Sequence, residues 1–211
     1  MRDGDTFTTA RSGDYTFALE GYIYHTNASS YQFALLSIHD TSQTLAFDNR
    51  IDGNLAKPGQ RNDYTFSVDA VPVQLVFDSL TQNNNFQWSL LGPDGTLVTN
   101  SGFYYSDSIE YGASNPVLTL PPGAYTLSVR GVSGTSGNYA FRLLNLASAS
   151  AGADNLITFD SPVDGRLSPG SQTRIYRFEA DSGDSIGFDR LSLSAGNPYW
   201  RLLDATGFQV F

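Results

Sequence analysis

The chain has 211 residues, 40% of them hydrophobic, with no cysteine and a formal net charge of −9 at pH 7. That length accommodates one or two domains with cores of their own, and without cysteine no disulfide holds them together. The negative balance argues against nucleic acid and anionic membrane as partners, because phosphate surfaces require clustered Lys and Arg, and no apolar run approaches the roughly 18 residues of a membrane helix.

From the N-terminus, Tyr15, Phe17 and Leu19 alternate with Thr16 and Ala18, and Tyr31, Phe33 and Leu35 alternate with Gln32 and Ala34. A period of two is what a strand needs when one face meets a core and the other meets water. These segments are expected to form two strands of a hairpin-like tail. They are joined by Glu20 to Ser30, a long loop carrying Tyr22, Tyr24, His25 and Asn27. Ser37 to Thr44 is short and polar and reads as a connector.

Beyond it the alternation is sustained. Tyr64, Phe66 and Val68 share one face, as do Val73, Leu75 and Phe77, then Phe86, Trp88 and Leu90, then Tyr125, Leu127 and Val129, and last Tyr139, Phe141 and Leu143. Each run is bounded by Asp, Gly, Pro or Asn. Pro93-Asp94-Gly95 is a turn with a mechanism, since Pro presets φ and Gly accepts a positive one. No stretch of ten or more residues shows a 3.6 period, and seven or eight short strands at regular spacing indicate an antiparallel sandwich. Leu146 to Asn155 is rich in Ala, Ser and Gly and reads as a flexible linker.

The chain also repeats itself. Phe47 and Phe159, Tyr64 and Tyr176, and Trp88 and Trp200 are each 112 positions apart, and Phe77 and Phe188 are 111 apart. The N-terminus instead matches the end of the unit: Tyr15 stands 110 positions before Tyr125, and Tyr31 stands 108 before Tyr139. The reading is therefore the C-terminal part of one repeat (residues 1–40), a complete repeat (45–146) and the N-terminal part of a following one (155–211). The fold class is all-β, an array of antiparallel, jelly-roll-like β-sandwich repeats. The two partial units are complementary and are expected to associate into a second sandwich, either within one chain or head to tail between chains. Because the chain opens inside a repeat, its first residue is not expected to be a natural start.

Three stretches carry a family resemblance: the turn before Asp63-Tyr64-Thr65-Phe66, the segment from Trp88 to Gly95, and Pro122 to Leu127 followed by Asn138-Tyr139-Ala140-Phe141. Through them the chain resembles the bacterial pre-peptidase C-terminal domains, β-sandwich modules found beside secreted peptidases and in tandem within very large surface proteins. Trp200 to Asp204 is similar to the version seen in tandem arrays. The resemblance implies a non-catalytic role and an extracellular or cell-surface location, with neighbouring repeats of the same protein as partners.

The residues themselves offer little chemistry. His25 and His39 are the only histidines, and neither has the spacing of a paired metal ligand. There is no Gly-x-Ser-x-Gly elbow and no thiol, so no enzyme activity is expected. Calcium is the more serious candidate, since hard cations take carboxylate and carbonyl oxygens and Asp48, Asp52, Asp160 and Asp164 recur at equivalent places. Asp52-Gly53 and Asp164-Gly165 are nevertheless better read as turn dipeptides; Asp3-Gly4-Asp5 is weaker still.

Phe103, Tyr104, Tyr105 and Tyr111 form an aromatic cluster in a polar insertion between Val98 and Val117. Exposed aromatics stack on sugars or anchor protein contacts, while the plainer reading has the cluster folding back over one end of the sandwich. Asn27-Ala28-Ser29 fits a glycosylation pattern but reads as loop. Two functions follow: a structural spacer in a large bacterial surface or adhesin-like protein, or a carbohydrate- or matrix-protein-binding accessory module of a secreted hydrolase.

Overall fold

The computed structural model describes residues 6–107 and 115–210. Among these, the strands are β1 (Thr41–Thr44), β2 (Ile51–Leu55), β3 (Arg61–Val68), β4 (Val73–Ser79), β5 (Phe86–Gly92), β6 (Gly95–Gly102), β7 (Val117–Leu120), β8 (Gly123–Gly131) and β9 (Gly137–Asn145). They form two facing sheets, one ordered β1-β3-β8-β5-β6 and the other β2-β9-β4-β7. All pairings are antiparallel except β1 with β3. The fold is thus a β-sandwich, as the alternation requires.

The alternating residues meet between the sheets. Tyr64, Leu75, Phe77, Leu127, Phe141 and Leu143 are almost completely buried in one hydrophobic cluster. Phe77 on β4 lies face to face with Trp88 on β5, 4.3 Å between ring centres, and with Phe141 on β9 at 4.9 Å, so a three-ring stack ties the two sheets together. Phe66 and Tyr125 stack at 5.3 Å, with Phe47 edge-on to Phe66 at the same distance. Burying each such ring is worth roughly 1.5 to 3 kcal/mol, with about 0.5 to 1.5 kcal/mol more for each well-oriented pair. The polar ends of these rings are satisfied: the indole Nε1 of Trp88 donates to Ser106 Oγ at 2.6 Å, and the Tyr64 and Tyr139 hydroxyls meet at 2.6 Å beside Asn62.

Several local expectations change. Thr41–Thr44, polar enough to look like a connector, is an edge strand whose side chains are all exposed, so burial could not mark it in the sequence. Asp52-Gly53 is not a turn but the middle of β2. A Cβ on Gly53 would lie 2.2 Å from the Tyr139 ring, so glycine is there to let that ring pass. Part of the polar insertion after Val98 is β6, paired with β5 across the Pro93-Asp94 turn, with Gly95 at φ +121°. In the linker, Leu146–Ala149 forms one helical turn, α1, capped by Asn145, whose side chain accepts from the amide of Ala147.

The hairpin-like tail is the larger correction. Tyr15 to Leu19 and Tyr31 to Leu35 form no strands and lie exposed. Their counterparts in the complete unit, β8 and β9, belong to opposite sheets and do not pair with each other, so two such segments cannot make a ladder on their own. Residues 155–210 likewise hold only two isolated bridges, Leu156 with Arg177 and Leu203 with Gln209.

Residues 41–150, expressed alone, should show a single cooperative melt with β-type circular dichroism. Within that segment Trp88→Ala should cost about 3 to 5 kcal/mol in urea denaturation, the range for truncating a large buried aromatic. A loss below about 1 kcal/mol would contradict the three-ring stack.

Candidate functional site

The four candidate calcium ligands have different surroundings. Asp48 adopts a left-handed backbone at φ +65°. Its amide donates to the carbonyl of Leu143, and its carboxylate accepts from the amide of Asn145 at 2.8 Å and from the hydroxyl of Ser148. It thereby ties the end of β9 and the start of α1 to the β1–β2 connection. Asp52 is exposed and held in a two-pronged pair by Arg50 at 2.8 to 3.0 Å, and that partner keeps its carboxyl below the ordinary range. Asp160 repeats the left-handed backbone at φ +60°, and Asp164 is exposed. Among the described residues no group of three or more His, Asp or Glu side chains converges as a metal site would.

The aromatic insertion divides. Phe103 is completely buried and packs edge-on against Phe77 at 5.2 Å, so its ring is core and not a ligand contact. Tyr104 donates its hydroxyl to the carbonyl of Gln82 at 2.9 Å, closing the β4–β5 connection. Tyr105 is 51% exposed, while Tyr111 and Asp3-Gly4-Asp5 lie outside the described residues. His25 packs edge-on to Tyr22, and His39 lies 3.3 Å from the hydroxyl of Ser37, both on the exposed N-terminal segment. A shallow polar depression of about 260 Å³ on the outer face of the five-stranded sheet is lined by Gln87, Ser89, Asn100, Ser128 and Arg130 among others. Its two serine hydroxyls already serve the scaffold: Ser89 accepts from the amide of Asn100, and Ser128 donates to Asp63.

A polar cluster that sequence reading missed lies on the outer face of the other sheet. Asp78 on β4 stands opposite Arg142 on β9. It is fully buried, and its carboxylate accepts from the Arg142 guanidinium at 2.6 Å and from the amide of Thr173 at 2.8 Å. Arg142 also donates to the carbonyl of Thr173 at 2.7 Å. Beside them the Asp107 carboxylate accepts from the amide of Ser79 at 3.1 Å and from the Thr173 hydroxyl at 3.3 Å. Thr173 thus clips the C-terminal segment onto the sandwich. Neither Asp78 nor Arg142 announces itself in the sequence, because each is a charged residue at an outward strand position, which ordinarily faces water. Only the register across β4 and β9 pairs them.

Burial, and then the neighbouring charge of Asp78, push the Asp107 carboxyl up to about 7. Burial also raises Asp78, opposed by Arg142 and the Thr173 hydrogen bonds. A raised carboxyl binds its proton more tightly folded than unfolded, so the native state holds more protons between about pH 4 and 7 and loses stability as pH rises through that window. Urea denaturation across it should show this decline, and Asp107→Asn should flatten it. A profile that rises toward pH 7 and is unchanged by the substitution would remove Asp107 from this role.

No family model and no curated protein matches this chain. Among solved structures it is similar to the pre-peptidase C-terminal domain of a collagenase from Bacillus anthracis, at 16% identity and a TM-score of 0.36, over 52% of this chain and 99% of that one. It is similar also to a periplasmic inhibitor of g-type lysozyme from Aeromonas hydrophila, at 10% identity and 0.35, over 52% and 99%. A third likeness is to the CUB1-EGF-CUB2 domains of rat MASP-1, at 15% identity and 0.33, over 50% and 43%. At these identities the likeness concerns the β-sandwich fold alone.

Proposed function

We propose that the chain is a non-catalytic structural repeat of a large bacterial secreted or surface protein, adhesin-like in build, whose sandwich units act as spacers. The observation that carries this reading is which positions the repeat reproduces. Phe47, Tyr64, Phe66, Phe77 and Trp88 recur as Phe159, Tyr176, Phe178, Phe188 and Trp200, and all five pack in or against the core. Some polar positions recur as well, Asp48, Asp52, Gln60 and Asp78 as Asp160, Asp164, Gln172 and Asp189, but their partners across the strands do not. Arg142 corresponds to Ala34, Ser89 to Arg201, and Ser128 to Ala18, so neither the Asp78 cluster nor the polar depression is rebuilt. A repeat that preserves its packing and varies its surface serves as scaffold; a shared reaction or ligand would hold polar groups in place. The resemblance of its turn and core motifs to pre-peptidase C-terminal domains fits an extracellular setting.

Among the described residues no helix is long and apolar enough to cross a membrane. The full chain, applied to glycan and extracellular-matrix protein arrays, should retain nothing in a saturable way. A ligand whose binding is lost on Tyr105→Ala would overturn the spacer reading in favour of a binding module for carbohydrate or matrix protein.

A further inference from the structure

The outer face of the four-stranded sheet is buried, although its strands turn that face away from the other sheet. Along β4 the inward residues Leu75 and Phe77 alternate with Gln74, Val76 and Asp78, which point away from the core. Val76 stands opposite Leu144 of β9. Both are buried, and neither belongs to the hydrophobic cluster between the sheets. Asp78, two positions along the same face, is buried opposite Arg142. Side chains on an outward strand face stay dry only beneath a covering layer.

The cover is the chain that follows β9. Its first turn, α1, lies against β4 and β9. Further on, Gln74 donates to the carbonyl of Thr206, and a Cβ on Gly207 would lie 2.7 Å from the Gln74 side-chain amide and 3.1 Å from Val117 of β7. At the other end of β4, Asp78 accepts from the Thr173 amide at 2.8 Å while Arg142 donates to the Thr173 carbonyl at 2.7 Å. Asp107, on the connection from β6 to β7, completes this contact. It accepts from the Ser79 amide and the Thr173 hydroxyl, and it shares a hydrogen bond with Asp78. The charged groups around Asp107 are Asp78 of β4, Arg142 of β9, which is paired with Asp78, and Arg201 of the covering chain, close enough for its charge and that of Asp107 to act on each other. Two carboxyls joined by a hydrogen bond hold one proton between them, because ionising both at contact brings like charges together.

Thr173 and Arg201, two of the neighbours of Asp107, belong to the covering chain, so lifting that chain returns water to the carboxyl. We propose that this face carries an acid-set clasp: while Asp78 and Asp107 share one proton the chain after α1 is docked on the sandwich, and when that proton passes to water the two carboxylates repel and the docked chain loosens. Burial first, and the Asp78 charge second, raise the Asp107 carboxyl to about 7 when the chain is docked, while a solvated carboxyl returns toward its ordinary value near about 4. The docked form therefore binds the proton more tightly than the released form. Docking is strongest at low pH, weakens by up to about tenfold per pH unit between about 4 and 7, and is level above that window. Opening here is local and leaves the sandwich folded, because the stack of Phe77 with Trp88 and Phe141 lies on the other side of β4. The clasp decides whether the following chain is held in one orientation or swings from β9, and it rests on these contacts, not on the spacer role.

The test is hydrogen exchange of the Thr173 amide in the full chain, followed by NMR from about pH 5 to 8 and corrected for the intrinsic rate at each pH. In the wild type, protection of this amide should fall about 10- to 100-fold between about pH 5 and 7 and level off beyond. It should also lie well below the protection of the Leu127 amide on β8, as a local opening requires. Asp107→Asn keeps a neutral side chain of the same shape and Asp107→Ala removes it; in whichever of the two folds, protection of Thr173 should no longer depend on pH. Asp181→Asn, which neutralises an exposed carboxylate on the covering chain, should leave the decline intact. Protection that is flat with pH in the wild type would overturn the proposal. So would a decline that survives in the Asp107 variants, or a Thr173 amide that exchanges only as slowly as that of Leu127, since the chain would then leave only when the whole sandwich unfolds.

Discussion

The fold depends on one topological constraint: the last two strands of the unit, β8 and β9, are inner strands of opposite sheets. Until they are in place, β3 has no link to β5 and β2 none to β4, so the sandwich closes only when its C-terminal quarter arrives. The three-ring stack of Trp88, Phe77 and Phe141 has the same dependence, because Phe141 is on β9. Contacts so distant in sequence impose a loop-closure cost before any packing repays it. The cost is met by unusually aromatic inner strands, with Tyr125 on β8 and Tyr139 and Phe141 on β9 all buried.

The same constraint explains the two ends of the chain. A segment resembling β8 and β9 has alternating residues that would suit any strand, yet it remains without regular structure because each of its strands needs flanking partners from elsewhere. The C-terminal segment keeps its Leu156–Arg177 bridge and loosely stacked rings because those contacts lie within the segment itself. It also leans on the completed unit through Thr173, whose amide and carbonyl satisfy Asp78 and Arg142. A buried ion pair of this kind contributes little net stability, but losing one partner leaves the other charge stranded. It fixes where the outgoing chain lies more than how stable the sandwich is.

Scaffold and surface therefore follow different rules. The packed aromatics, the Asp48 turn with its repeated left-handed backbone and the room beneath Tyr139 belong to the architecture, and each has a counterpart one repeat later. Asp78 has a counterpart in Asp189, but its partner Arg142 and the outer-face serines Ser89 and Ser128 are replaced by Ala34, Arg201 and Ala18.

By itself the sequence determined the β-sandwich: the period of two names the inward residues and the turns divide them, because both are local chemistry read along the chain. Trp88, Phe77 and Phe141 were legible as core on that ground alone. What the tertiary structure decided is pairing. It made Thr41–Thr44 a strand by offering it the edge of β3, turned Asp52-Gly53 from a turn into the strand under Tyr139, decided between the two readings of Phe103 by burying it in the core, and brought Asp78 to Arg142 across a register. Strand pairing joins residues far apart in sequence through backbone groups common to all of them, so the identity of a residue says which way it faces but not which strand lies beside it.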